Sequence, residues 1–205
     1  AQKGCIWLKL SVSGKTSHGA EPWQGINALE QGFGLFADLR EELMREEHPV
    51  LGRSTLQVTM AEGGIAPNMT PDRAQFLADI RIVPPLNEKE VLNRLECLIE
   101  KRCEVYNGGL SFTPEISNYR MPVETGPENQ WLHRLKGFIG DNAGETGINY
   151  FTDASIFLTA WPDSPALLFG PGEPQMCHKP NEYVEISKYF EAIRVMEKFC
   201  WYIAK

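Results

Sequence analysis

The sequence predicts a ferredoxin-like α+β domain followed by the C-terminal part of a larger α/β domain. Three observations predict it. Hydrophobic patterns of period two and period 3.6 alternate in the order β-α-β-β-α-β over residues 4–117. An aperiodic stretch with Pro122, Gly126 and Pro127 marks a linker over 118–127. The remainder, 118–205 with the linker, holds several helices but one evident internal strand, too little to close a core unless other strands lie upstream.

Residues 4–12 mix β-branched and aromatic side chains, alternate through Leu8, Leu10 and Val12, and stop at Ser13-Gly14, as a strand and turn do. From Ile26 to Met44 the apolar residues recur at three- and four-residue steps (Ile26, Leu29, Phe33, Phe36, Leu39, Leu43), the pattern of an amphipathic helix. Strands follow at 54–60 (Leu56, Val58, Met60) and 74–83 (Phe76, Ala78, Ile80, Ile82), the second halted by Pro84-Pro85. A helix over 88–103 carries Val91, Leu95, Leu98 and Ile99 on one stripe, and a fourth strand covers 110–116. Beyond the linker come a helix over 128–139, a short helix ending at Ala160, an apolar strand from Pro165 to Phe169, a Gly170-Pro171-Gly172 turn and a closing helix from Ile186 to about Ile203.

Twenty Lys and Arg against 27 Asp and Glu give a net charge of -7, which repels phosphate backbones and argues against a nucleic-acid partner. No apolar run reaches the ~20 residues that span a bilayer, so no membrane partner is expected. The five cysteines are scattered without a C-x-x-C pair, which fits neither a disulfide framework nor a structural zinc cluster and points to the cytoplasm. The chain begins at Ala1 rather than Met and soon enters the apolar run Cys5–Leu10, so residues upstream are expected to have been removed.

Gly14-Lys15-Thr16 is not a phosphate loop, because Lys9 stands where such a loop needs its first Gly. Ser17-His18-Gly19 follows a strand, and Gly14 and Gly19 there permit close backbone approach to another molecule. Asp153 and His178 flank the apolar strand of the expected α/β sheet, where ligands gather.

Together these segments resemble a known family. Gly14-Lys15-Thr16-Ser17-His18-Gly19-Ala20-Glu21-Pro22, followed by Gly25-Ile26-Asn27-Ala28, is similar to the lid signature of the zinc-dependent aminoacylases and carboxypeptidases. Gly63 to Pro71, running on to Asp79-Ile80-Arg81, is similar to a second lid signature, and Thr152-Asp153-Ala154, Gly170-Pro171-Gly172 and His178 to Glu182 to the catalytic C-terminus. The resemblance implies a ferredoxin-like lid at 1–117 that makes a homodimer, and the C-terminal segment of an α/β zinc-exopeptidase catalytic domain at 118–205. It implies two zinc ions, replaceable by cobalt or manganese, and hydrolysis of an amide bond in an N-acyl amino acid or short peptide beside a free carboxylate. It further implies that His18 reaches the partner's active site and polarises the scissile carbonyl, that Asn68 and Arg81 hold the substrate carboxylate, and that Thr152, Asp153, Gly170 and Gly172 line the substrate floor. His178 becomes the last zinc ligand.

The family's His-x-Asp segment, bridging Asp and catalytic Glu-Glu pair are not in this sequence. Glu41-Glu42 and Glu46-Glu47 read as the solvated face of the first helix, so the chain is expected to be inactive alone. Other readings stay open: Asp153 as a helix N-cap, Arg81 paired with a strand neighbour, and the whole chain as a non-catalytic dimerisation or regulatory module. His48 and His133 are expected at the surface, Tyr183 and Trp201 in packing. Asn68 lies in the loop that ends one strand and Arg81 near the end of the next, so an antiparallel pair could bring both to one rim.

Overall fold

A computed structural model describes residues 1–140, 144, 146–177 and 179–204. The first strand, β1 (Gly4–Ser13), buries Ile6, Leu8, Leu10 and Val12 on one face and leaves Trp7 and Lys9 on the other, the alternation its sequence demands. It lies between β5 (Arg73–Ile82) and β6 (Ser111–Arg120), and β4 (Thr55–Gly63) closes the other edge, all antiparallel, in the order β4-β5-β1-β6. Two helices, α1 (Ala28–Leu43) and α2 (Glu88–Val105), cover the Ile6–Val12 face with Leu35, Phe36, Leu39, Leu43, Val91 and Leu95. Each such side chain contributes roughly 1.5–3 kcal/mol by leaving water. This is the ferredoxin-like arrangement expected.

The boundaries shift where local chemistry overrides periodicity. Helix α1 starts at Ala28 because the Asn27 side chain accepts from the Leu29 and Glu30 amides, while Ile26 exchanges backbone hydrogen bonds with Lys15. Strand β6 runs on to Arg120, inside the stretch expected as linker, because its ladder with β1 continues past an irregularity at Trp7/Leu8 to pair Cys5 with Arg120.

A hairpin of β2 (Glu47–His48) and β3 (Gly52–Arg53) was not expected. It turns around His48, which is only 5% exposed rather than at the surface. Its Nδ1 accepts from the Val50 and Leu51 amides at 3.1 Å each, and its Nε2 lies 3.0 Å from Glu124 Oε1. Glu46 also departs from expectation: α1 has already ended, and two hydrogen bonds from Arg94 hold the carboxylate, one of them 2.9 Å long. Those bonds keep the Glu46 carboxyl below its ordinary value.

In the C-terminal segment α3 (Gln130–Ile139) packs on α5 (Ile186–Ile203) through Trp131 and Phe138 against Phe199 and Tyr202, and α4 (Ala154–Ala160) is short. Residues 165–169 do not form the expected strand. Among the described residues no strand lies beside them, and extended backbone becomes sheet only with a ladder partner. Thr125 Oγ1 instead donates to the Ala166 carbonyl at 2.7 Å. Tyr183 and Trp201, expected to pack, are 55% and 67% exposed, and Phe157, Trp161 and Ile186 are exposed as well. Among the described residues no helix is long and apolar enough to cross a membrane.

Gly32 on α1 faces Phe76, and a Cβ there would stand 2.1 Å from the Phe76 ring, which Phe33 and Phe36 hold edge-on. Gly32→Ala should therefore lose about 1–2 kcal/mol net of its helix-propensity gain; urea unfolding at unchanged or greater stability would show that the ring can move aside. Glu46 contributes stability above its unfolded pKa near 4.5, and that contribution is lost as the pH falls through the depressed folded value. Glu46→Gln should accordingly flatten the stability-pH curve within that window and leave its slope above neutral pH unchanged.

Candidate functional site

Of the lid residues singled out in the sequence, His18 and Asn68 stand at one end of the sheet and Arg81 at the other. At one end, the loop after β1 is zipped to the loop between β4 and β5. Gly19 N–H donates to the Asn68 carbonyl at 2.8 Å, Thr70 N–H to the Ser17 carbonyl at 2.9 Å, and the Ser17 and Thr70 hydroxyls meet at 2.7 Å. A Cβ at Gly19 would lie 3.1 Å from the Asn68 backbone, a tight contact, so glycine here favours close approach of the chain to itself. His18 and Asn68 both stand exposed on this tip. The Ala20 amide donates to His18 Nδ1 at 3.1 Å, which puts the neutral ring's proton on Nε2. An imidazole N–H pointing into solvent is a donor awaiting an acceptor.

At the other end stands Arg81. The register pairs Ser13 with Arg73 but Cys5 with Arg81. Arg73 and Arg81 are eight positions apart on β5, about 26 Å of strand. Asn68 and Arg81 therefore do not share a rim. Both lie near strand ends, but β4 and β5 meet at the Gly63–Ala74 end and Arg81 pairs with Thr55, the far end of the hairpin. Arg81 does pair with a strand neighbour: its Nε and Nη2 donate to Asp79 Oδ1 and Oδ2 at 2.6 and 2.8 Å, which raises the guanidinium above its ordinary value. The Phe151 ring lies 5.7 Å from Arg81 Cζ and 5.8 Å from Arg120 Cζ. Burial between these groups pushes the Cys5 thiol up.

Phe151 leads into Thr152 and Asp153, so the Arg81 end of the lid meets the C-terminal segment here. Buried Gln2 is the joint: its backbone bridges Val123, and its Oε1 accepts from the Thr152 amide at 3.1 Å and hydroxyl at 2.6 Å. Asp153 occupies the N-cap position of α4 but makes no capping hydrogen bond, leaving its exposed carboxylate uncommitted to the helix. Gly170 and Gly172 lie in an open turn where a Cβ would meet nothing. His178 lies outside the described residues. One position earlier, Cys177 Sγ lies 3.6 Å from the Tyr150 hydroxyl, which ties that turn to the 150–153 loop. Among the described residues no group of three or more His, Cys, Asp or Glu is arranged to hold a metal.

Residues 1–107 match the family described as the peptidase dimerisation domain. The chain belongs to that family, whose lid the motifs identify within the zinc-dependent aminoacylase and carboxypeptidase group. An acetylornithine deacetylase of Shigella sonnei is 27% identical over 98% of this chain, which spans about half, 54%, of that relative's length. The aminopeptidase PepT of Bacillus cereus shares the fold over 100% of this chain and 53% of its own, with TM-score 0.73 at 17% identity. A metallo-carboxypeptidase of Sulfolobus solfataricus does so over 96% and 57%, with TM-score 0.64 at 16% identity.

Sequence reasoning missed Gln2, Trp7 and Phe151. Asp79, quoted only within a motif, was missed too, although it carried a signal: two positions from Arg81 on a strand, it had to share a face with it. Gln2 carried no signal, since its partner is 150 residues away. Gln2→Met removes the acceptor of two Thr152 donors and should cost about 1–3 kcal/mol. It should also speed hydrogen exchange at the Thr152 amide; unaltered exchange would mean that Gln2 does not hold this loop.

Proposed function

We propose that this chain supplies the lid, residues 1–117, and the C-terminal catalytic segment, residues 118–205, of a homodimeric amidohydrolase that cleaves an N-acyl amino acid or short peptide beside a free carboxylate. The observation that carries the reading is the separation of His18 from Arg81. A scissile carbonyl and the carboxylate of the same amino acid are only a few ångströms apart, so one substrate cannot touch both ends of a strand about 26 Å long. A two-fold dimer removes the conflict: the tip of one lid reaches the site of the partner, where Arg81 stands at the joint with the C-terminal segment. The family's role as a dimerisation domain supports this, and β4 leaves an open sheet edge able to pair with a second copy.

In that arrangement the His18 Nε2–H donates to the scissile carbonyl and to the oxyanion it becomes, and the partner-borne Asn68 joins Arg81 on the carboxylate. The end-on fork of Arg81 matches a carboxylate in shape and charge. Thr152, Asp153, Gly170 and Gly172 are proposed to line the floor, and His178 to serve as a metal ligand. The described residues do not by themselves fit a dinuclear zinc site, so the ions require ligands beyond them. The apolar faces of α4 and α5 left bare here support a catalytic domain that continues beyond these residues.

The reading is tested by mixing two variants of the complete enzyme. His18→Ala should lower turnover about 10²–10³-fold, and Arg81→Ala should weaken kcat/KM for the carboxylate substrate, both with metal content unchanged, so the variants are compared at substrate well below KM. In a mixed dimer one site recovers both intact groups, so subunit exchange should restore about a quarter of wild-type activity. No recovery in mixtures shown to contain the heterodimer would place His18 and Arg81 in separate functions and end the proposal.

A further inference from the structure

Asp79 and Arg81 stand on the open face of the sheet, and their contact has a particular form. A guanidinium carries five N–H donors. Asp79 takes the side-on pair, Nε and Nη2, and leaves the end-on pair, Nη1 with Nη2; the Arg81 side chain remains 25% exposed. Among the described residues no second carboxylate bonds it. Asp79 is itself fixed from the neighbouring strand, because Trp7, its register partner on β1, donates its indole N–H to Oδ2 at 3.0 Å. Phe151 supports the guanidinium plane at the point where the chain enters Thr152.

We propose that Asp79 and Trp7 are positioning residues: Trp7 orients Asp79, and Asp79 clamps the side-on edge of Arg81 so that its end-on fork is presented, already built, to the free α-carboxylate of the substrate. This rests on the reading of Arg81 as the carboxylate-binding group. Asp79 acts in two opposed ways, since its charge repels an incoming carboxylate while its hydrogen bonds order the fork. Ordering prevails in this geometry because both Asp79 oxygens are engaged by Arg81, and an unclamped arginine would have to give up its rotamer freedom at every binding event.

The test is Asp79→Asn in the complete enzyme, assayed on paired substrates that end in a free α-carboxylate or in a carboxamide. The expected result is a KM for the carboxylate substrate raised roughly tenfold with kcat unchanged, and a carboxamide substrate moved by less than about twofold. Added to Arg81→Lys, the change should cost nothing further. Trp7→Phe removes only the indole donor and should shift KM the same way by about twofold to threefold, which keeps the idea testable if Asp79→Asn fails to fold. Nitrogen-edited NMR on the chain should show an Arg81 Nε–H protected from exchange in the parent and exposed in Asp79→Asn. If Asp79→Asn leaves the carboxylate preference unchanged or increases it while Arg81→Lys abolishes it, the clamp is refuted and the carboxylate reading survives. If Arg81→Lys weakens both substrates equally, the reading beneath falls and the clamp with it.

Discussion

The antiparallel register of β1 between β5 and β6 is the constraint on which the rest depends. Side chains alternate along a strand, so pairing Cys5 with Arg81 and with Arg120 settles at once which residues face the helices and which face outward. Ile6, Leu8, Leu10 and Val12 enter the core, while Cys5 and Trp7 join Asp79 and Arg81 on the other face. A slip by one residue would exchange the two sets, exposing the apolar stripe and burying Lys9. The core therefore enforces the register, and the register sets the spacing between the two ends of the candidate site.

That spacing gives the lid two distinct ends. The His18–Asn68 tip is held by backbone hydrogen bonds between two loops, a rigid mount for an outward-facing imidazole. The Arg81 end is instead a joint, where Gln2, Phe151 and Thr152 tie the lid to the C-terminal segment through one amide side chain and an aromatic ring set between two guanidiniums.

The C-terminal segment shows the complementary situation. Its helices formed where their periodicity placed them, yet residues 165–169 remained outside any sheet of the described residues, and Tyr183 and Trp201 stay largely exposed. Helices close their hydrogen bonds within themselves, whereas strands and apolar faces need partners from elsewhere in the fold. The same physics that completes the lid leaves this segment with unanswered surfaces.

The sequence by itself determined the lid: four alternating segments and two amphipathic ones, in an order that admits few topologies, together with motifs sufficient to name the family. It also determined that Asp79 and Arg81 share a face, because a strand's period is two. Only the tertiary structure decided that Asn68 and Arg81 lie at opposite ends of the sheet, that His48 is wrapped by its own hairpin, that Glu46 belongs to Arg94, and that Gln2 reaches Thr152. Each of these depends on contacts between residues distant in sequence or on the path of a loop. Local periodicity records which face a side chain takes, but carries no information about which distant partner will stand opposite it.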